Sequence, residues 1–180
     1  MKSYHILFAA LALVGLILFY VSWNVGLFKP VVIEQVTVPK ATLVFQKHIG
    51  PYHEVGKVFE AVEKQMAEAQ KPCFRTFGRY YDNPDQVEAE RLRADIGCWF
   101  EEPVTSPPSG LFVEESASFE ALRGTFDGAP WMTAFKVYST LKRESFQRNL
   151  YVETSPALEL YEKTQTGFRT QVHFRIPNKP

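Results

Sequence analysis

The 180-residue sequence predicts an α+β domain, an antiparallel sheet with two helices on one face, preceded by an N-terminal transmembrane helix. Three observations carry that prediction. A charge-free apolar run opens the chain, two amphipathic helical stripes lie among short strand-like runs, and the order strand, helix, strand, strand occurs twice at a nearly constant offset.

Residues 6–23 read ILFAALALVGLILFYVSW, with no charge and no proline. Crossing ~30 Å of hydrocarbon takes about 20 apolar residues. Tyr20 and Trp23 sit at the end of the run, where amphipathic rings favour the membrane interface. A cleaved signal peptide would have a shorter apolar core and a small-x-small site, a pattern that Trp23 and Val25 spoil. The expectation is therefore a single-pass anchor over 1–28, in contact with the lipid bilayer through 6–23. Lys2 and Lys29 stand on opposite sides of it and leave the orientation open.

Residues 29–40 then read as an extended stalk, with Val31, Val32, Ile33, Val36 and Val38 interrupted by polar residues. Residues 41–180 have the length of one domain. Inside it, 41–47 is β-rich and Gly50-Pro51 punctuates the chain. Tyr52, Val55, Val58, Phe59, Val62 and Met66 recur at helical spacing between charged residues. Residues 74–81 and 92–100 read as a hairpin across a loop that begins Asp82-Asn83-Pro84.

After a turn rich in Pro, Ser and Gly, 111–126 carries strand signals. Asp127-Gly128-Ala129-Pro130 opens a second helix with proline at its first position, and Trp131, Ala134, Phe135, Tyr138 and Leu141 trace its apolar stripe. Residues 157–161 and 170–176 supply the last strands. Pro51 and Pro130 are 79 positions apart and Tyr81 and Tyr161 are 80 apart, so the pseudo-repeats are placed at 41–101 and 111–177.

Charge and motif content exclude several functions. Twenty Lys and Arg balance twenty Asp and Glu, which leaves no positive field to hold nucleic acid. No GxSxG, GxGxxG, P-loop, HExxH or CxxC occurs. His5, His48, His53 and His173 lack carboxylate or thiolate partners at a ligand-like spacing, so neither a metal nor a cofactor is expected. Cys73 and Cys98 are the only cysteines, and the expected hairpin, turning near Gln86, sets them opposite each other. They could bridge, with two buried free thiols as the alternative. A bridge would tilt the domain towards the extracytoplasmic side of the membrane.

His48-Ile49-Gly50-Pro51-Tyr52, Tyr80-Tyr81-Asp82-Asn83-Pro84, Leu92-Arg93-Ala94-Asp95-Ile96-Gly97, Ala157-Leu158-Glu159-Leu160-Tyr161 and Val172-His173-Phe174-Arg175-Ile176-Pro177 follow one another in a telling order. Together they resemble the GyrI-like small-molecule-binding domain, which also forms the effector-binding part of some multidrug-sensing transcription regulators. The resemblance spans roughly 41–177. It implies a groove between the two halves, lined by aromatics and holding one buried carboxylate that receives cationic ligands.

Glu159 matches that carboxylate. Strand alternation independently places it on one face with Tyr161, and a carboxylate beside aromatic rings suits an organic cation. A solvated strand carboxylate is the alternative. Tyr52 and Trp131, at equivalent helix starts, and Tyr80 and Phe174 are the expected wall residues. Some members of the family hydrolyse reactive electrophiles, and in such an enzyme Glu159 and Tyr161 would be the catalytic pair. A membrane-tethered adaptor that takes a peptide in the groove is the third possibility. The leading expectation is a bound small molecule, cationic or aromatic.

Overall fold

A computed structural model describes residues 2–165 and 167–177, without the side chains of Lys2, Ser3 and Ile6. Thr166 and the last three residues of the domain expected over 41–180 lie outside the described residues. Helix α1 (Lys2–Asn24) comes first, then strands β1 (Val32–Val38) and β2 (Ala41–Ile49). A single 3-10 turn at Tyr52–Glu54 leads into α2 (Val55–Glu68), followed by β3 (Thr76–Tyr80), β4 (Arg93–Phe100), β5 (Phe112–Ser116) and β6 (Phe119–Asp127). Helix α3 (Pro130–Gln147), β7 (Glu153–Thr164) and β8 (Gly167–Arg175) complete the chain.

The strands form one eight-stranded sheet in the order β1-β6-β8-β7-β3-β4-β2-β5, antiparallel at every pairing. Two expectations need correction. The stretch 29–40 is no stalk, because β1 pairs along its whole length with β6, from Val32 opposite Thr125 to Val38 opposite Phe119. Its alternating side chains are used on both faces, with Ile33 packed under α3 and Val36 and Val38 in the cluster on the other side. The stretch 111–126 holds two strands, and β5 pairs with β2 rather than with its neighbour in sequence. Each half is thus a five-element unit whose first strand lies at the edge of the other half.

These swapped strands force the sheet to roll. β1 and β2 are six places apart in the sheet, about 29 Å if it were flat, yet only Pro39 and Lys40 join them, a reach of at most about 11 Å. Ala117 and Ser118 impose the same closure on β5 and β6. The inside of the roll packs Val38, Leu43, Phe45, Phe77, Trp99, Ala121, Leu158 and Leu160. Both helices cover the outside, α2 over Val44 and Cys98 and α3 over Leu122, Phe126, Val172 and Phe174.

An ion network lies on the inner face. The Arg79 guanidinium donates to Asp95 through Nε (3.1 Å) and Nη2 (2.6 Å) and to Glu114 through Nη1 (2.7 Å) and Nη2 (2.8 Å), while the Tyr81 hydroxyl donates to Asp95 at 2.6 Å. Its partners hold the guanidinium in its charged form despite burial.

Gly97 marks the tightest approach in the sheet. A Cβ there would lie 2.0 Å from the Val44 carbonyl oxygen and 2.6 Å from the Phe45 Cα, both backbone atoms. Gly97→Ala is expected to lower stability by about 3 kcal/mol, the upper end for overpacking, because the strand itself must shift. Urea unfolding checks this, and an unchanged midpoint would contradict the packing described.

Candidate functional site

The site lies on the outer face, in the trough between α2 and α3, where β3 and β7 form the centre of the sheet. Gly78 faces Glu159 across this pair, and its missing side chain makes room for the Tyr80 ring, whose Cε2 is 2.6 Å from where a Cβ would be. Tyr80 therefore folds back towards β7. Thr76 faces Tyr161, so Glu159 and Tyr161 share the outer face as strand alternation requires.

The Glu159 carboxylate is buried, and both its oxygens accept phenol hydrogen bonds. Tyr138 Oη donates to Oε1 at 2.6 Å and Tyr161 Oη donates to Oε2 at 2.8 Å. Tyr161 has one proton, already committed to the carboxylate, so the 3.0 Å contact between the Tyr80 and Tyr161 hydroxyls has Tyr80 as donor. Burial raises the Glu159 pKa above its ordinary 4.5, while the two phenols counteract the shift. All three tyrosines are pushed upward, first by burial and then by the nearby carboxylate, so they stay protonated donors.

Over this floor opens a cavity of about 880 Å³. Tyr52, Val55, Phe59, Glu60 and Glu63 line it from the first half, and Trp131, Ala134, Tyr138, Ser139 and Lys142 from the second. These two sets are related position by position by the 79-residue offset. The same offset sets Tyr80 against Glu159, so the pseudo-symmetric trough carries a phenol on one side and a carboxylate on the other. The Phe59 and Tyr161 rings meet edge to face at 5.4 Å, and those of Tyr52 and Tyr80 at 4.9 Å.

The structure brings Tyr52, Tyr80, Trp131, Glu159 and Tyr161 to one cavity. The expectation for Phe174 is corrected, because its side chain is wholly buried under α3 and its ring packs on Tyr138 at 5.5 Å, supporting the wall from behind. Tyr138 is the site residue that sequence reasoning left in the apolar stripe. Its signal was available in the 79-residue offset from Phe59, and in its place seven residues after Trp131 on the same helical face. Tyr52 also does structural work, its hydroxyl lying within 3.1 Å of the Asp82 carbonyl, the Asp82 amide and the Arg93 carbonyl. Asp82 lines the cavity, but Arg93 occupies its carboxylate and holds it below the ordinary range. Among the described residues, no group of three or more His, Cys, Asp or Glu is placed to hold a metal ion.

Cys73 and Cys98 are bonded as a disulfide with Cα atoms 5.4 Å apart. The register differs from the expected one, since Thr76 stands opposite Cys98 and Cys73 reaches in from the loop after α2. Denatured, non-reduced protein is expected to show no reactive thiol in a thiol titration, and two thiols after reduction. Two thiols before reduction would contradict the bond.

Fold and site together define a duplicated α+β domain that encloses a carboxylate-bearing, aromatic-walled cavity for a small molecule. The chain belongs to the GyrI-like small molecule binding domain family, whose sequence profile matches residues 32–172. Testis-expressed protein 264 of Homo sapiens is 26% identical over 151 residues, covering 76% of this chain and 44% of that protein. The chain thus spans less than half the length of the curated relatives it matches. The EcmrR C-terminal domain superposes with a TM-score of 0.66 at 14% identity, covering 83% of this chain and 99% of that one. SAV2435 bound to tetraphenylphosphonium has a TM-score of 0.56 at 13% identity, covering 82% and 94%. At these identities the two structures show the shared fold.

Proposed function

We propose that this chain is a membrane-anchored receptor for lipophilic organic cations, with Glu159 as the counter-ion inside the aromatic trough. The observation that carries it is the buried Glu159 carboxylate, oriented by Tyr138 and Tyr161 on the floor of a cavity large enough for a drug-sized molecule. A cation entering the trough repays the desolvation of the carboxylate and meets the faces of Tyr52, Phe59 and Trp131. The tetraphenylphosphonium bound by SAV2435, which shares the fold, is a ligand of this class. Both carboxylate oxygens already accept a proton donor, which makes Glu159 a weaker base and favours charge pairing over hydrolysis.

Helix α1 supports the anchored form, since Leu7–Asn24 is long and apolar enough to cross a membrane and none of it is buried in the domain. The disulfide supports an extracytoplasmic location for the domain. Titration of the full chain with tetraphenylphosphonium and with the anion tetraphenylborate, alike in shape and opposite in charge, tests the assignment. Saturable binding of the cation alone is expected. Equal binding of both ions would make shape the selecting property and overturn the role of Glu159.

A further inference from the structure

The end of α1 does not lead into a free linker. Lys136 Nζ donates to three carbonyls of the turn beyond it, those of Gly26 (3.1 Å), Leu27 (2.8 Å) and Lys29 (2.6 Å). The Ala129 amide donates to the Val25 carbonyl at 3.1 Å. Gly26, at φ +84°, and Gly128 allow the closest approach, for a Cβ on Gly26 would lie 2.9 Å from the Phe126 ring and one on Gly128 would lie 2.8 Å from the Val25 carbonyl oxygen. The start of α3 is therefore clamped to the C-terminal end of α1, and the domain has a fixed face next to that end.

That face is apolar where it meets no protein. Phe28, Trp131 and Phe135 are 61%, 59% and 72% exposed, and the Phe28 ring stands 6.2 Å from that of Phe19, continuing the surface of α1. The cavity reaches this end, because Trp131 lines it one turn before Phe135, and Phe168, whose carbonyl accepts from the Gly128 amide, lines it too.

We propose that the first two turns of α3 rest in the interfacial layer of the bilayer that α1 crosses, so that the trough takes its lipophilic cation sideways from the lipid rather than from water. The occupant of the apolar face is thus the bilayer surface, into which amphipathic faces sink by about 5–10 Å. An aromatic cation already concentrated at that depth would enter past Trp131 and move along the trough to Glu159. This rests on the proposed membrane span and on Glu159 as counter-ion, and extends them to the route of loading.

The test uses the full chain in phosphatidylcholine vesicles whose acyl chains are brominated just below the headgroup. Trp99 is buried and serves as an unquenched reference, while Trp23→Phe and Trp131→Phe report the two exposed indoles separately. Fluorescence of Trp23→Phe is expected to be quenched by the brominated lipid, through Trp131. Quenching of Trp131→Phe but not of Trp23→Phe would leave the span intact and overturn the interfacial face. No quenching in either variant would remove the span itself and the proposal with it. A second arm follows association of short-chain and long-chain alkyltriphenylphosphonium at equal free aqueous concentration. The long-chain ion is expected to associate faster by about its ratio of membrane partitioning, roughly tenfold for two further methylenes at ~0.8 kcal/mol each. Equal association rates would show loading from water. Absence of saturable binding for either ion would sink the counter-ion assignment, and the loading route along with it.

Discussion

Glu159→Gln is expected to weaken tetraphenylphosphonium binding by about 2 kcal/mol or more, roughly thirtyfold in Kd, while a neutral aromatic of similar size binds nearly as before. The amide keeps the size of the carboxylate and can still accept from one tyrosine, so the loss isolates the charge. Stability should move the other way or stay level, since the unliganded protein no longer buries a carboxylate. The pH dependence follows from the same group. Burial raises the folded pKa of Glu159 above 4.5, so the unliganded domain loses this group's contribution as pH rises through the raised value. The cation prefers the ionised form, so its affinity should climb over the same interval, level off above it, and be flat for the variant. Isothermal titration at a series of pH values checks both. Equal cation affinity in parent and variant, or a pH profile that survives the substitution, would exclude Glu159 as the counter-ion.

The second large effect concerns the inside of the roll. Arg79→Leu is expected to cost about 3–5 kcal/mol, because Asp95, only 4% exposed, would keep the Tyr81 hydroxyl but lose its counter-ion. Glu114 would suffer less, since its side chain is 44% exposed and can turn to water. Removing both partners should be milder than removing one. The double variant Arg79→Leu/Asp95→Leu should recover much of the loss, since an apolar pair in the roll leaves no buried charge unpaired. Urea unfolding of the two single variants and the double variant gives the coupling. An additive double variant would mean that the network contributes no specific pairing.

Much of this molecule was legible in residue patterns, for physical reasons. The stripe from Tyr52 to Met66 and the proline at the start of α3 are local signals, and both helices formed where those signals lie. Alternation along 157–161 placed Glu159 and Tyr161 on one face, because side-chain direction in a strand has a period of two. What escaped was non-local. An edge strand that pairs 85 positions away, as Val36 does with Ala121, has the same composition as an exposed tether, and nothing nearby in sequence marks its partner. Phe174 was misplaced for a related reason. It shares the outer face with the trough, but which outward residues lie under a helix and which lie between helices depends on how the sheet is covered. Tyr138 escaped because a helical aromatic taken alone looks the same whether it packs or binds, and only its place opposite Phe59 in the 79-residue offset sets it apart.

The exchange of first strands between the halves bears on what this pocket can hold. A single half would leave its first strand unpaired and its trough one-walled, so it would be complete only beside a second copy, with the strands traded across the twofold axis. In such a pair positions 80 and 159 would be one position meeting its own image, so an acid there would face the same acid and a tyrosine the same tyrosine. Two carboxylates facing one ligand would repel each other and bind a proton in place of the guest. Two halves in one chain leave positions 80 and 159 free to differ, and the proposed binding of a singly charged guest depends on that freedom.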